Sequence, residues 1–134
     1  MLLDTSRLLC CLDSAELRHR DAVTYFDAGL RKVTHNCVLM EFVALAQARK
    51  YPGDVSLSFV ADIATYPDIE VVWVDKERHT DALAMLQTQL DKSHSLFDAI
   101  SFLLMRERGV EEALTTDRHF EQAGFRRLLA ESAG

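Results

Sequence analysis

Short apolar runs of strand length alternate with helix-length segments along this chain, and that alternation admits few folds. The runs are MLLD at 1–4, RKVT at 31–34, IEVVWV at 69–74, EEALT at 111–115 and FRRLL around 125–129. IEVVWV is the clearest strand, rich in β-branched and aromatic residues. The intervening patterns predict helices at 6–12, from caps at Asp13 and Ser14 to about residue 30, and from a cap at Asn36 to about Lys50. Further helices are predicted at 54–65, 76–90 and 95–108, with a helical turn at 118–122. YPGD, Pro67 and Gly109 supply stop signals. Strands that alternate with helices predict an α/β domain with a largely parallel central sheet. The segment SLFDAISFLLM is apolar on nearly every side and reads as a helix buried between the sheet and other helices.

At 134 residues the chain reads as one domain, residues 1–134, without linkers or repeats. A net charge of −6 argues against a broad basic surface for duplex DNA, although clustered acids that hold a divalent cation inflate that figure. Cys10, Cys11 and Cys37 form an odd set without C-x-x-C spacing, lie among apolar neighbours, and read as core residues of a reducing compartment. MLLDTSR has no charged n-region, and no run approaches the roughly 18 apolar residues of a membrane span. A soluble, cytoplasmic protein is therefore expected. With five glycines and no G-x-S-x-G, Walker or G-x-G-x-x-G pattern, a hydrolase elbow or nucleotide loop has no material. His19, His35, His79, His94 and His119 show no paired ligand spacing and read as surface or packing residues.

Four acids stand apart from the other charged residues: Asp4, Glu41, Asp98 and Asp117. Asp4 and Asp117 each have an ordinary reading as a helix N-cap, and Asp98, three residues after Ser95, as part of a capping box. Glu41 is harder to dismiss. It sits inside NCVLMEFVALA with no Lys or Arg in that stretch, and a carboxylate taken out of water costs several kcal/mol unless compensated. Asp4 ends the first strand, Asp117 follows the fourth, and Glu41 and Asp98 lie in the first turns of helices. A helix runs antiparallel to its neighbouring parallel strand, so all four fall on the carboxyl edge of the sheet, where open α/β folds build their sites. Carboxylates gathered there repel one another. A hard divalent cation such as Mg²⁺ removes the conflict, activates water and stabilises charge on a phosphodiester.

The spacing of MLLDTS, THNCVLME, SLFDAISFLLMRERG and ALTTDRHFEQAGF resembles the PIN domain family, particularly the VapC-type toxin ribonucleases, over nearly the whole chain. The resemblance implies a three-layer fold with a mainly parallel sheet of about five strands flanked by helices. It implies a Mg²⁺- or Mn²⁺-dependent endoribonuclease whose metal-activated water cleaves RNA, with Asp4, Glu41, Asp98 and Asp117 as the catalytic and metal-binding quartet. Thr5, Ser6 and Thr115 match supporting polar positions. A homodimer and a protein antitoxin of a type II toxin–antitoxin pair are implied as partners. One departure concerns His119, which stands where many relatives carry a further acid; it favours one metal ion over two. Asp91 reads as a solvated residue at a helix end, with an outer metal role as the alternative.

Arg7, one turn beyond Asp4, and Arg118, adjoining Asp117, are the candidates for contact with an RNA phosphate, and a short single-stranded segment suits such modest positive charge. A housekeeping RNA-processing nuclease of the same fold and a non-catalytic α/β interaction module remain alternatives. A phosphoacceptor receiver domain is disfavoured, because it needs paired acids after the first strand where this chain has Asp4, Thr5 and Ser6.

Overall fold

The structure, a computed structural model, describes residues 1–28 and 30–129 apart from the side chain of Ser6. The strands are β1 (Leu2–Leu3), β2 (Lys32–His35), β3 (Ile69–Val72), β4 (Glu112–Leu114) and β5 (Arg126–Arg127). The helices are α1 (Thr5–Leu12), α2 (His19–Phe26), α3 (Asn36–Ala48), α4 (Gly53–Thr65), α5 (Lys76–Gln87), α6 (Leu96–Arg108) and α7 (Arg118–Gln122). The five strands form one sheet in the order β3-β2-β1-β4-β5, and every pairing is parallel. The chain winds outward from β1 to β3, then returns to lay β4 on the other side of β1. That reversal makes the β1–β4 boundary the topological switch point of the sheet.

Alternation along the strands divides the core into two layers. Leu3, Leu114 and Ile69 face α1 to α4, packing with Leu8, Leu9, Val38, Phe42 and Ile63. Leu2, Val33, Val72 and Ala113 face the opposite way, against Phe102, Leu104 and Met105 of α6 and Phe120 of α7. Phe102 and Phe120 meet edge to face at 5.0 Å, a favoured ring geometry. The result is a three-layer sandwich with both sheet faces covered, as an all-parallel sheet requires. The predicted buried helix is α6, in which Ala99 to Phe102, Leu104 and Met105 are all buried. It ends at Gly109, whose φ of 65° is the left-handed conformation that closes helices.

Two expectations are corrected. The second helix does not start at Asp13–Ser14. Asp13 closes α1 instead, its backbone N–H donating to the Leu9 carbonyl, while its side chain accepts the N–H of Ala15 and the hydroxyl of Tyr51. With Asp13 so engaged, the chain turns through residues 14–18 and α2 begins at His19. Nor does Asn36 cap α3. His35 does, its Nδ1 accepting from Val38 N at 3.3 Å, while Asn36 Oδ1 accepts the N–H of Val74 at 2.6 Å and ties α3 to the end of β3. Among the described residues, Cys10, Cys11 and Cys37 are free thiols, Cys10 buried and the other two half-buried. Burial pushes Cys11 up to about 12, as suits a packing role. No described helix is long and apolar enough to cross a membrane.

Candidate metal centre

At the switch point, β1 and β4 end side by side and release Asp4 and Thr115–Asp117 at the same edge. Asp4 adopts extended backbone angles and caps α1, Oδ1 accepting from Thr5 N at 2.9 Å. Its Oδ2 accepts the hydroxyl of Thr115 at 2.8 Å. That hydroxyl in turn accepts the N–H of Asp117 at 3.0 Å, and Asp117 caps α7 by accepting from His119 N at 2.9 Å. Thr115 is fully buried and therefore locks the two strand ends to each other. Asp98 completes a capping box on α6: its Oδ2 accepts from Ser95 N and its N–H donates to Ser95 Oγ, both at 3.0 Å. The three capping readings and the shared-edge reading are thus realised together.

These groups border one cleft of about 390 Å³, lined among others by Asp4, Thr5, Glu41, Asp98, Asp117 and His119. All four singled-out acids are therefore brought together. Glu41 differs from expectation in one respect: it is half-buried in the cleft wall, not in the core. The helix turn explains this, since Val38 and Phe42 point inward and Met40 faces solvent at 61% exposure, which leaves Glu41 at the boundary. Of the supporting positions, Thr5 and Thr115 lie at the cleft or beneath it, and the side chain of Ser6 lies outside the described residues. Arg7 is half-buried with its guanidinium 3.6 Å from Cys10 Sγ, Arg118 is exposed at the head of α7, and neither lines the cleft. Asp91 is exposed in the connection between α5 and α6, away from the lining, in line with its solvated reading.

The electrostatics are those of a site short of positive charge. Burial pushes the Asp4 carboxyl up to about 6; the charges of Asp117 and Asp98 add to the rise, and hydrogen bonds from Thr115 and Thr5 oppose it. Among the described residues His119 is the only basic side chain in the lining, with Nδ1 at 3.2 Å from both Asp98 Oδ2 and Asp117 Oδ1. The Thr5 hydroxyl is buried without a partner among the described residues. The carboxylate oxygens of the four acids, the raised Asp4 and an orphaned hydroxyl together fit a hard divalent cation. His35, directly under α3, is neutral by construction: burial lowers it to about 4, Nδ1 serves as acceptor for Val38, and Nε2 lies 2.9 Å from Ser101 Oγ.

Sequence reasoning read His94 as a surface or packing residue. It lies beside Asp98 and His119, and one donor atom from each falls within 4.8 Å of the others. The one signal available was its place four residues before Asp98.

No family model and no curated protein matches the chain by sequence. Among solved structures it is similar to the crystal structure of VapC20 from Mycobacterium tuberculosis, a sarcin–ricin loop cleaving toxin. The two are 26% identical and superpose with a TM-score of 0.82, over 92% of this chain and 95% of that one. Agreement of that extent covers nearly the whole of both chains. This likeness in fold over nearly the whole chain supports a VapC-type PIN domain.

Proposed function

We propose that this chain is a metal-dependent endoribonuclease that hydrolyses RNA phosphodiester bonds, acting as the toxin of a toxin–antitoxin pair. The observation that carries the reading is the meeting of Asp4, Glu41, Asp98 and Asp117 in one cleft at the sheet's switch point, with Asp4 pushed up to about 6 by burial. Asp4, Glu41, Asp98 and Asp117 would hold Mg²⁺ or Mn²⁺. When bound, that ion supplies Lewis-acid polarisation of a phosphate oxygen and makes water acidic enough to attack near neutral pH.

The chain's own contribution is placement. Thr115 fixes Asp4 and Asp117 relative to each other before any substrate arrives, which spares reorganisation during reaction. Val38, Leu45 and Phe97 give the cleft an apolar wall, and Phe97, 42% exposed, offers a stacking face to an unpaired base. Arg7 and Arg118 would steady phosphates on either side. VapC20 is described as cleaving the sarcin–ricin loop; for this chain the corresponding substrate class is a loop of RNA whose bases are accessible.

A protein antitoxin and a second copy of the chain complete the reading, which places one PIN-like domain, residues 1–134, in the cytoplasm. An apolar groove lined by Leu39, Met40, Val43, Val60, Ala64 and Trp73 supports a protein partner, with Met40 and Trp73 exposed at its surface.

The test is RNA cleavage with Mg²⁺, with Mn²⁺ and with EDTA, comparing the wild type with Asp4→Asn and Asp98→Asn. Loss of about 100-fold or more in each variant and in EDTA is expected. Activity that survives both substitutions removes the proposed centre.

A further inference from the structure

The acidic quartet offers oxygen alone, yet two imidazoles close one side of it. His94 lies just ahead of α6 and His119 is the second residue of α7, and their rings meet edge to face at 5.1 Å. Nδ1 of His94 and Nδ1 of His119 are both buried without a hydrogen-bond partner among the described residues. The 3.2 Å approaches of His119 Nδ1 to Asp98 and Asp117 are thus contacts between atoms and not aligned hydrogen bonds. Buried polar nitrogens are ordinarily satisfied, and donor atoms of His94, Asp98 and His119, one from each, lie within 4.8 Å of one another, so the cluster calls for a common partner.

A tetrahedral ion supplies one. Nitrogen and oxygen donors about 2.0–2.1 Å from zinc stand about 3.3–3.4 Å from each other, close to the 3.2 Å seen between His119 and each acid. His119 is also held in place for that role: its Nε2 lies 3.0 Å from Ser93 Oγ, leaving Nδ1 turned toward the carboxylates. We propose that His94, Asp98 and His119, completed by Asp117, form a mixed imidazole–carboxylate site for a borderline divalent ion of the zinc class. Imidazole suits Zn²⁺ and Co²⁺, whereas Mg²⁺ prefers oxygen, so the site discriminates against the ion that the quartet would take. Asp98 and Asp117 belong to both sets. Occupancy by zinc therefore withdraws two carboxylates from the quartet and holds the centre off, a consequence that rests on the nuclease reading while the binding itself does not.

The test uses the full chain stripped with chelator and titrated with Zn²⁺ alone by calorimetry, and with Co²⁺ by its visible absorption. His94→Gln and His119→Gln are each expected to weaken Zn²⁺ by about tenfold or more, and Asp4→Asn by less than about threefold. Histidine ring signals of the wild type, followed by NMR, should move for His94 and His119 on adding Zn²⁺ and stay in place for His79. Unchanged Zn²⁺ affinity in the His94→Gln/His119→Gln double variant, or ring signals of those two that ignore saturating Zn²⁺, overturns the site. Histidine-dependent Zn²⁺ binding in a chain that cleaves no RNA upholds this site and sinks the nuclease reading. RNA cleavage without histidine-dependent Zn²⁺ binding does the reverse.

Discussion

The hydroxyl of Thr115 donates to Asp4 Oδ2 at 2.8 Å while accepting the backbone N–H of Asp117 at 3.0 Å. One buried oxygen thereby sets the spacing of two acids from different strands. Thr115→Val keeps the shape and deletes both bonds, leaving a buried carboxylate oxygen and a backbone N–H unpaired. A loss of about 1–3 kcal/mol in urea denaturation is expected, with a fall of about tenfold or more in cleavage. Thr115→Ser should restore most of both. Equal stability of the valine variant and the wild type would show that the pairing has no energetic weight.

Asp4 makes the metal-free protein less stable than it need be. Its folded carboxyl lies at about 6 against an ordinary 3.8, so between those values the folded chain keeps a proton that the unfolded chain has released. The stability this provides is complete below 3.8 and is lost as pH rises through about 6, a loss of about 3 kcal/mol. Asp4→Asn removes the charge. In EDTA at about pH 8 the variant should be more stable than wild type by up to about 3 kcal/mol, and the gap should close at about pH 4. Millimolar Mg²⁺ should raise the wild-type melting temperature and leave that of Asp4→Asn unmoved. A variant less stable than wild type at both pH values contradicts this account.

His35 acts in the opposite sense over nearly the same interval. Burial lowers it from 6.5 to about 4, so the unfolded chain takes up a proton that the folded chain refuses. Stability is full above 6.5 and falls as pH drops toward 4, by about 2 kcal/mol at about pH 5. The wild-type profile sums this fall and the rise from Asp4, and neither is visible alone. Subtracting the profile of His35→Gln isolates the histidine. A difference that stays constant from about pH 7 to about pH 5 would refute the assignment.

Gly109 provides a control remote from the cleft. With φ of 65° and nothing within 4 Å of a built Cβ, Gly109→Ala meets backbone strain but no clash. It should cost about 1 kcal/mol in denaturant unfolding and leave cleavage at the wild-type rate. A drop in activity as well would mean that the end of α6 communicates with Asp98 at its start.

Asp4, Asp98 and Asp117 were readable from sequence because strand ends and helix starts are marked locally, and parallel topology then puts them on one edge. Glu41 was found for a partly mistaken reason. NCVLMEFVALA looks like unbroken core, but a helix spreads consecutive residues around its axis, and Met40 proves to face water. The cap of α3 was misplaced by one residue, since His35 and Asn36 are both polar and only the folded geometry sends Asn36 to Val74. His94 was read as a surface or packing residue because the ring it meets, His119, is far along the chain on another element. Interval patterns in sequence register neighbours on one element, not on two.

The bond between Asp4 and Thr115 joins residues 111 positions apart. During synthesis the amino-terminal acid leaves the ribosome long before its partner is translated, and β1 cannot settle between β2 and β4 until β4 has been made. The cleft edge that gathers Asp4 and Asp117 therefore belongs to the last part of the fold that a growing chain can complete.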